Sequence, residues 1–141
     1  MKSLFSFAIA LVFSMSAYGQ SFQAPQVALD HFNTTLSGTP VHWTSSNNQI
    51  LGQFKNDGMP AGMRYEMDAT FVRKETKIQT SDLPQALQNH LETSGVESSV
   101  ISVFQFENDG VTYLINIGGQ DHLFDTSATL ISISNSDPFT W

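Results

Sequence analysis

Two short stretches of the chain carry apolar residues at three- and four-residue steps, and eight others alternate apolar and polar positions between turn residues. The first helical segment begins Ala24-Pro25-Gln26 and sets Val27 or Ala28 against Phe32. The second begins Leu83-Pro84-Gln85 and sets Leu83, Leu87 and Leu91 on one face. That spacing predicts one apolar stripe on each helix. Proline belongs in a helix's first turn, where its missing N–H costs nothing. Ser81 or Asp82 is placed to cap the second helix, and Gly38 and Gly95 stand where left-handed C-terminal residues fall.

After each helix the period changes from 3.6 to 2. The first set of predicted strands covers residues 41–45, 49–54, 59–67 and 71–79; the second covers 100–106, 111–117, 120–124 and 129–134. Asn47-Asn48, Asn56-Asp57-Gly58, Asn108-Asp109-Gly110 and Gly118-Gly119 separate them. An Asp-Gly pair between alternating runs is a strong hairpin signal, because both residues accept positive φ. The fold class read from this order is α+β, a helix followed by a four-stranded antiparallel meander, twice.

The two sets also resemble each other in sequence. Pro25-Gln26 and His31 match Pro84-Gln85 and His90 at an offset of 59, and Tyr65 to Val72 matches Phe124 to Ile131 at the same offset. The chain therefore reads as repeats at 24–79 and 81–134 within one domain, 20–134, followed by a tail, 135–141. Ahead of the domain, Lys2 and the apolar run Leu4 to Phe13 read as a secretory signal peptide, residues 1–19, cleaved between Gly19 and Gln20. The run is far shorter than the roughly 20 residues that span a bilayer. The expected product is periplasmic or secreted, without a membrane anchor.

The succession Trp43…Phe54…Tyr65-Glu66…Glu75…Asp82-Leu83-Pro84…Tyr113…Phe124-Asp125 resembles the PepSY-like, beta-lactamase-inhibitor-like family of periplasmic proteins. The resemblance runs from about Ala24 to Ser134 and is most specific at the Asp-Leu-Pro helix start and the tryptophan of the first strand. It implies helices packed on one face of an antiparallel sheet, and a concave sheet surface that binds partners. No catalytic motif defines that family. The glycine usual in its third turn is here Ala69 and Ala128.

Composition narrows the chemistry further. The full chain has 141 residues, 6 Lys and Arg, 13 Asp and Glu, and no cysteine. Disulfides, thiolate metal sites and a lipid-bearing cysteine are excluded. The acid excess argues against nucleic acid as a partner, since phosphate contacts need clustered cations. His31, His42, His90 and His122 are at least eleven residues apart, and none has a carboxylate at helical spacing, so no metal or cofactor is expected. There is no Gly-x-Ser-x-Gly elbow, and the acids cluster at turns, so the chain reads as non-catalytic.

Charge is uneven along the sequence. Every Lys and Arg after the leader (Lys55, Arg64, Arg73, Lys74, Lys77) precedes Ile78, and eight acids follow it. Such a field favours a basic partner or a basic surface.

Apolar residues also fall on both phases of the later strands. Residues 111–117 put Val111, Tyr113, Ile115 and Ile117 under the second helix; over 100–106, Val100, Phe104 and Phe106 share the opposite phase to Ile101 and Val103. The face away from the helix, with Ile101, Val103 and Leu114 as the candidate binding residues, is either a protein-binding surface or is covered by the other repeat or the tail. The expected function is a secreted or periplasmic protein-binding module, inhibition of an envelope enzyme being one form of it. The alternative is a small-ligand or cation-binding envelope protein that uses the acidic second repeat.

Overall fold

Helix α1 (Gln26–Thr35) is followed by β1 (His42–Ser46), β2 (Gln49–Asn56), β3 (Met59–Glu66) and β4 (Phe71–Lys77). Helix α2 (Gln85–Ser94) then leads into β5 (Val100–Glu107), β6 (Val111–Ile117), β7 (Gln120–Phe124) and β8 (Leu130–Asn135). The computed structural model describes residues 22–135, so the predicted leader with its Gly19–Gln20 cleavage point, and the tail beyond residue 135, lie outside the described residues. All eight strands form one antiparallel sheet in sequence order. The two meanders join where β4 pairs β5, from Lys74↔Glu107 to Lys77↔Phe104.

Both helices lie on the same face of this sheet. Ala28 and Phe32 of α1 pack on Ile50, Phe54, Ala61, Met63 and Tyr65; Leu87 and Leu91 of α2 pack with Leu83 on Val103, Tyr113, Ile115 and Phe124. Val27, the other candidate for the α1 stripe, points to solvent. Burying each of these large apolar side chains contributes about 1.5–3 kcal/mol, which holds two three-turn helices that would not persist alone. Glycine matters at one close approach. Gly52 lies opposite Trp43, and a Cβ there would sit 2.8 Å from the indole ring.

The helix ends differ from expectation. Pro25 and Pro84 are N-caps rather than first-turn residues, and their carbonyls accept N–H groups of the first turn. Asp82 does not cap α2; its carboxylate accepts the Gln79 N–H at 3.0 Å and closes a 3-10 turn, Thr80–Asp82. Gly95 does end α2 in the left-handed conformation, with the Val96 N–H on the Leu91 carbonyl. Gly38 is left-handed too, but α1 ends earlier, at Leu36.

The hairpins also part company. Asn47-Asn48, Asp57-Gly58 and Gly118-Gly119 all have positive φ, as tight two-residue turns require. The near-identical string Asn108-Asp109-Gly110 instead makes a three-residue loop, between Glu107 and Val111, with none of its residues at positive φ.

Candidate partner-binding face

Strand alternation assigns the other face of the sheet residue by residue. Tyr65, Met63 and Ala61 face α1, so Arg64 and Gly62 face away from it, and cross-strand register carries that face to Leu51, Arg73 and Glu75. Glu75 pairs with Phe106 and Lys77 with Phe104; these continue to Thr112 and Leu114 on β6 and to Leu123 on β7. The helix-free face thus holds an ionic cluster over β3 and β4 and an apolar strip, Phe104, Phe106, Leu114 and Leu123, over β5 to β7.

The three residues chosen from sequence do not form one surface. Val103 pairs with Ile115 and is buried in the core beneath α2, so it is no docking residue. Ile101 sits at a register shift between Val100 and Ser102 and is 69% exposed. Leu114 lies on the helix-free face, half-buried beside Phe104. The bulge at Ile101 explains the error. One extra residue in β5 reverses the phase of everything after it, so Phe104 and Phe106, read as facing α2, lie on the opposite face from Val103.

The ionic cluster is the feature that composition did not reveal. Glu75, almost fully buried, accepts hydrogen bonds from the equally buried Arg64 through Nε and, at 3.1 Å, through Nη2. Arg73 Nε donates to the same carboxylate at 2.8 Å, and Arg64 Nη1 donates to Gln49 Oε1 at 3.2 Å. Two guanidinium groups thus share one carboxylate, leaving one surplus positive charge. The Arg73 guanidinium also lies over the Phe106 ring, 3.9 Å from its centroid, which joins the ionic cluster to the apolar strip. The sequence signal was present in the phase: Arg64 alternates with Ala61, Met63 and Tyr65, and Arg73 and Glu75 share a phase.

Charge is sorted by face as well as by sequence. Of the five Lys and Arg among the described residues, Lys55, Arg64, Arg73 and Lys77 lie on the helix-free face, and Lys74 lies on the other. Three strand carboxylates accompany them there, Glu66, Glu75 and Asp121. This corrects the reading that the chain's field simply favours a basic partner, because among the described strand residues the helix-free face sets these four cations against three carboxylates. Some acids of the second half have structural uses. Asp121 accepts from Asn116 Nδ2 at 2.7 Å, and Asp125 accepts the N–H groups of Ser127 and Thr129.

The histidines have separate settings. His31 Nδ1 is 2.9 Å from the Tyr65 hydroxyl, whose pKa burial pushes up to about 12. His90 packs edge-on against Phe124, His122 stacks on the same ring, and His42 is exposed on β1. Among the described residues no three His, Asp or Glu side chains converge as metal ligands. No helix among them is long and apolar enough to cross a membrane.

The eight-stranded antiparallel sheet with two helices on one face is an α+β fold similar to that of BLIP-like proteins. The chain is similar to a BLIP-like protein of Bacteroides fragilis, with a TM-score of 0.67 and 17% identity over 85% of this chain and 94% of that one. A DUF2874 family protein of Bacteroides uniformis aligns with a TM-score of 0.71 and 16% identity, covering 80% and 90% of the two chains. A candidate periplasmic protein of Bacteroides eggerthii aligns at 0.70 and 16%, covering 81% and 90%. At such identities the likeness establishes the fold. No family model matches the sequence, and no curated protein is similar to it in sequence.

Proposed function

We propose that this chain is a non-catalytic periplasmic or secreted module that docks a protein on the helix-free face of its sheet. Inhibition of an envelope enzyme is one form such occlusion would take. The observation that carries the reading is the half-buried pair Leu114 and Leu123, set beside the buried rings of Phe104 and Phe106 and a stacked arginine on the face that neither helix covers. Aromatic and arginine anchors set in a partly desolvated surface are what supplies most binding energy in protein interfaces. The BLIP-like fold supports the same reading by analogy of architecture. Residues 1–19 are read as the leader that exports the module, and 24–79 with 81–134 as one unit written twice in a single domain.

The test uses residues 20–141 as bait against native envelope and secreted fractions at low and high salt. Leu114→Glu, which places a charge in the strip at a half-buried position, is run alongside. A stoichiometric partner captured by the parent and lost by the folded Leu114→Glu variant is the expected result. Equal capture by both, or no partner at either salt, overturns the reading.

A further inference from the structure

A cleft of about 340 Å³ opens on the helix-free face at the β5–β6 hairpin, lined among others by Arg73, Phe106, Asn108, Gly110, Thr112 and Leu123. Its walls are mostly apolar, and Arg73 is its cation. Arg73 is unusually well fixed for a side chain that keeps 29% of its surface exposed. Its Nε is tied to Glu75, and its flat face rests on Phe106. Those two contacts set the guanidinium plane and leave the edge formed by Nη1 and Nη2 without a partner among the described residues. That edge matches the spacing of a carboxylate's two oxygens. Glu75 cannot satisfy it as well, because the same carboxylate already holds Arg64.

The surrounding charge points the same way. Arg64 and Arg73 outnumber Glu75 by one, and Lys77 lies on the same face one pairing step along, opposite Phe104. Besides Glu75, the carboxylates nearest Arg73 along the chain are Asp68, which accepts the Thr70 N–H in the β3–β4 turn, and Glu66, which lies on the same face and accepts from Gln49 Nε2 at 3.2 Å. Those nearest Phe106 are Glu107 and Asp109. Glu107 belongs to the opposite face, where it pairs with Lys74 in register and accepts from Gln105 Nε2 at 2.6 Å; Asp109 is exposed in the hairpin loop. We propose that this cleft receives an acidic side chain of the docked protein, its carboxylate on the Nη edge of Arg73 and its apolar neighbours against Phe106 and Leu123. The inference rests on the docking reading and adds the partner's chemistry. A protein of net negative charge would then select a partner surface that is acidic where it meets β4 to β6.

The probe is the blocked peptide acetyl-Phe-Glu-Phe-amide, titrated into ¹⁵N-labelled residues 20–141, with the glutamine peptide as its neutral match. Shifts centred on Arg73, Asn108, Gly110 and Thr112, about ten-fold weaker binding of the glutamine peptide, and a similar loss in Arg73→Gln are expected. Equal binding of the two peptides, or undiminished binding by Arg73→Gln, overturns the proposal. Phenylacetate forms a third arm; binding of phenylacetate without the glutamate peptide overturns the protein source in favour of a small free carboxylate. Should Arg73→Gln fail to fold, Thr112→Glu supplies the carboxylate from within, and peptide binding that survives in it overturns the proposal equally. The two readings fail separately. An envelope partner that Arg73→Gln keeps and Leu114→Glu loses leaves docking intact and removes the cleft.

Discussion

Beneath α1 the sheet offers aromatic rings: Phe32 meets Trp43 and Phe54 edge to face, with centroids 5.6 and 5.5 Å apart. Beneath α2 it offers Val103 and Ile115, with the rings of Tyr113 and Phe124, to Leu87 and Leu91. The contrast is sharper on the other face. In the first half, β3 and β4 bury Arg64 against Glu75; in the second, β6 and β7 bury Asn116 against Asp121. One sheet therefore holds the same two layers with different chemistry. The first half carries nearly all the charge pairing, and the second carries the apolar strip. Their junction at β4 and β5 is where arginine meets phenylalanine, and a binding face that needs both chemistries has to be built there.

The largest effect should come from breaking the ionic side of that contrast. Arg64→Ala leaves Glu75 buried with Arg73 alone, and removing one member of a buried pair costs about 3–5 kcal/mol. Asn116→Ala in the second half leaves Asp121 without its amide and should cost less, about 1–3 kcal/mol. Urea unfolding of both variants measures the difference. A cost below about 1 kcal/mol for Arg64→Ala would mean that water solvates Glu75 and that the cluster does not hold the first half together.

A smaller effect separates the halves at alkaline pH. Burial raises the Tyr65 hydroxyl to about 12, against about 10 for an unfolded tyrosine. The folded state keeps the neutral phenol beside His31, so its contribution is complete below pH 10 and is lost as pH rises from about 10 to 12. The loss should be about 2 kcal/mol after allowance for solvent screening. Tyr113 in the second half is shifted in the same direction, by burial first and by the charge of Glu107 second. Tyr65→Phe should remove more of the alkaline slope than Tyr113→Phe, followed by tyrosinate absorbance and denaturant midpoint together. The reverse order would place the tighter phenol under α2.

Much of the frame was readable because it depends on local chemistry. Asn47-Asn48 and Asp57-Gly58 mark tight turns in any context, since positive φ is a property of those residues. Leu83, Leu87 and Leu91 mark a helix face through spacing alone. What escaped depends on pairing between strands. The bulge at Ile101 is set by which β6 residues lie opposite Val100 and Ser102, namely Ile117 and Asn116. A strictly alternating reading of β5 cannot register it and so puts Val103 on the wrong face. The ionic cluster is of the same kind. Gly62 lies opposite Glu75 and Arg64 opposite Arg73, and that register brings the three charged groups together. Asn108-Asp109-Gly110 shows the limit from the other side: nearly the same string as Asn56-Asp57-Gly58 closes a different loop, because one more residue separates the paired ends, Glu107 and Val111.

The smallest effect tests the pair of turns in which the two halves agree most closely. Ala69 and Ala128 both sit at positive φ, 69° and 66°, and each donates its N–H to the carbonyl three residues earlier, Glu66 and Asp125. An L-residue in that conformation costs roughly 1–2 kcal/mol, which glycine would relieve. Glycine also loosens the unfolded chain, at about 0.4–1 kcal/mol, so each Ala→Gly change should stabilise by no more than about 1 kcal/mol. The halves should then diverge through the methyl group. Ala69 is buried among the α1 core residues, whereas Ala128 packs only at the edge of the α2 core. Ala128→Gly should raise the denaturant midpoint, and Ala69→Gly should leave it near its starting value because lost packing offsets relieved strain. Equal gains at both positions would show that the Ala69 methyl contributes nothing to its core. A loss at both would show that the surrounding turns, closed by the Asp68 and Asp125 carboxylates on the N–H groups of Thr70 and Thr129, already hold the backbone without strain.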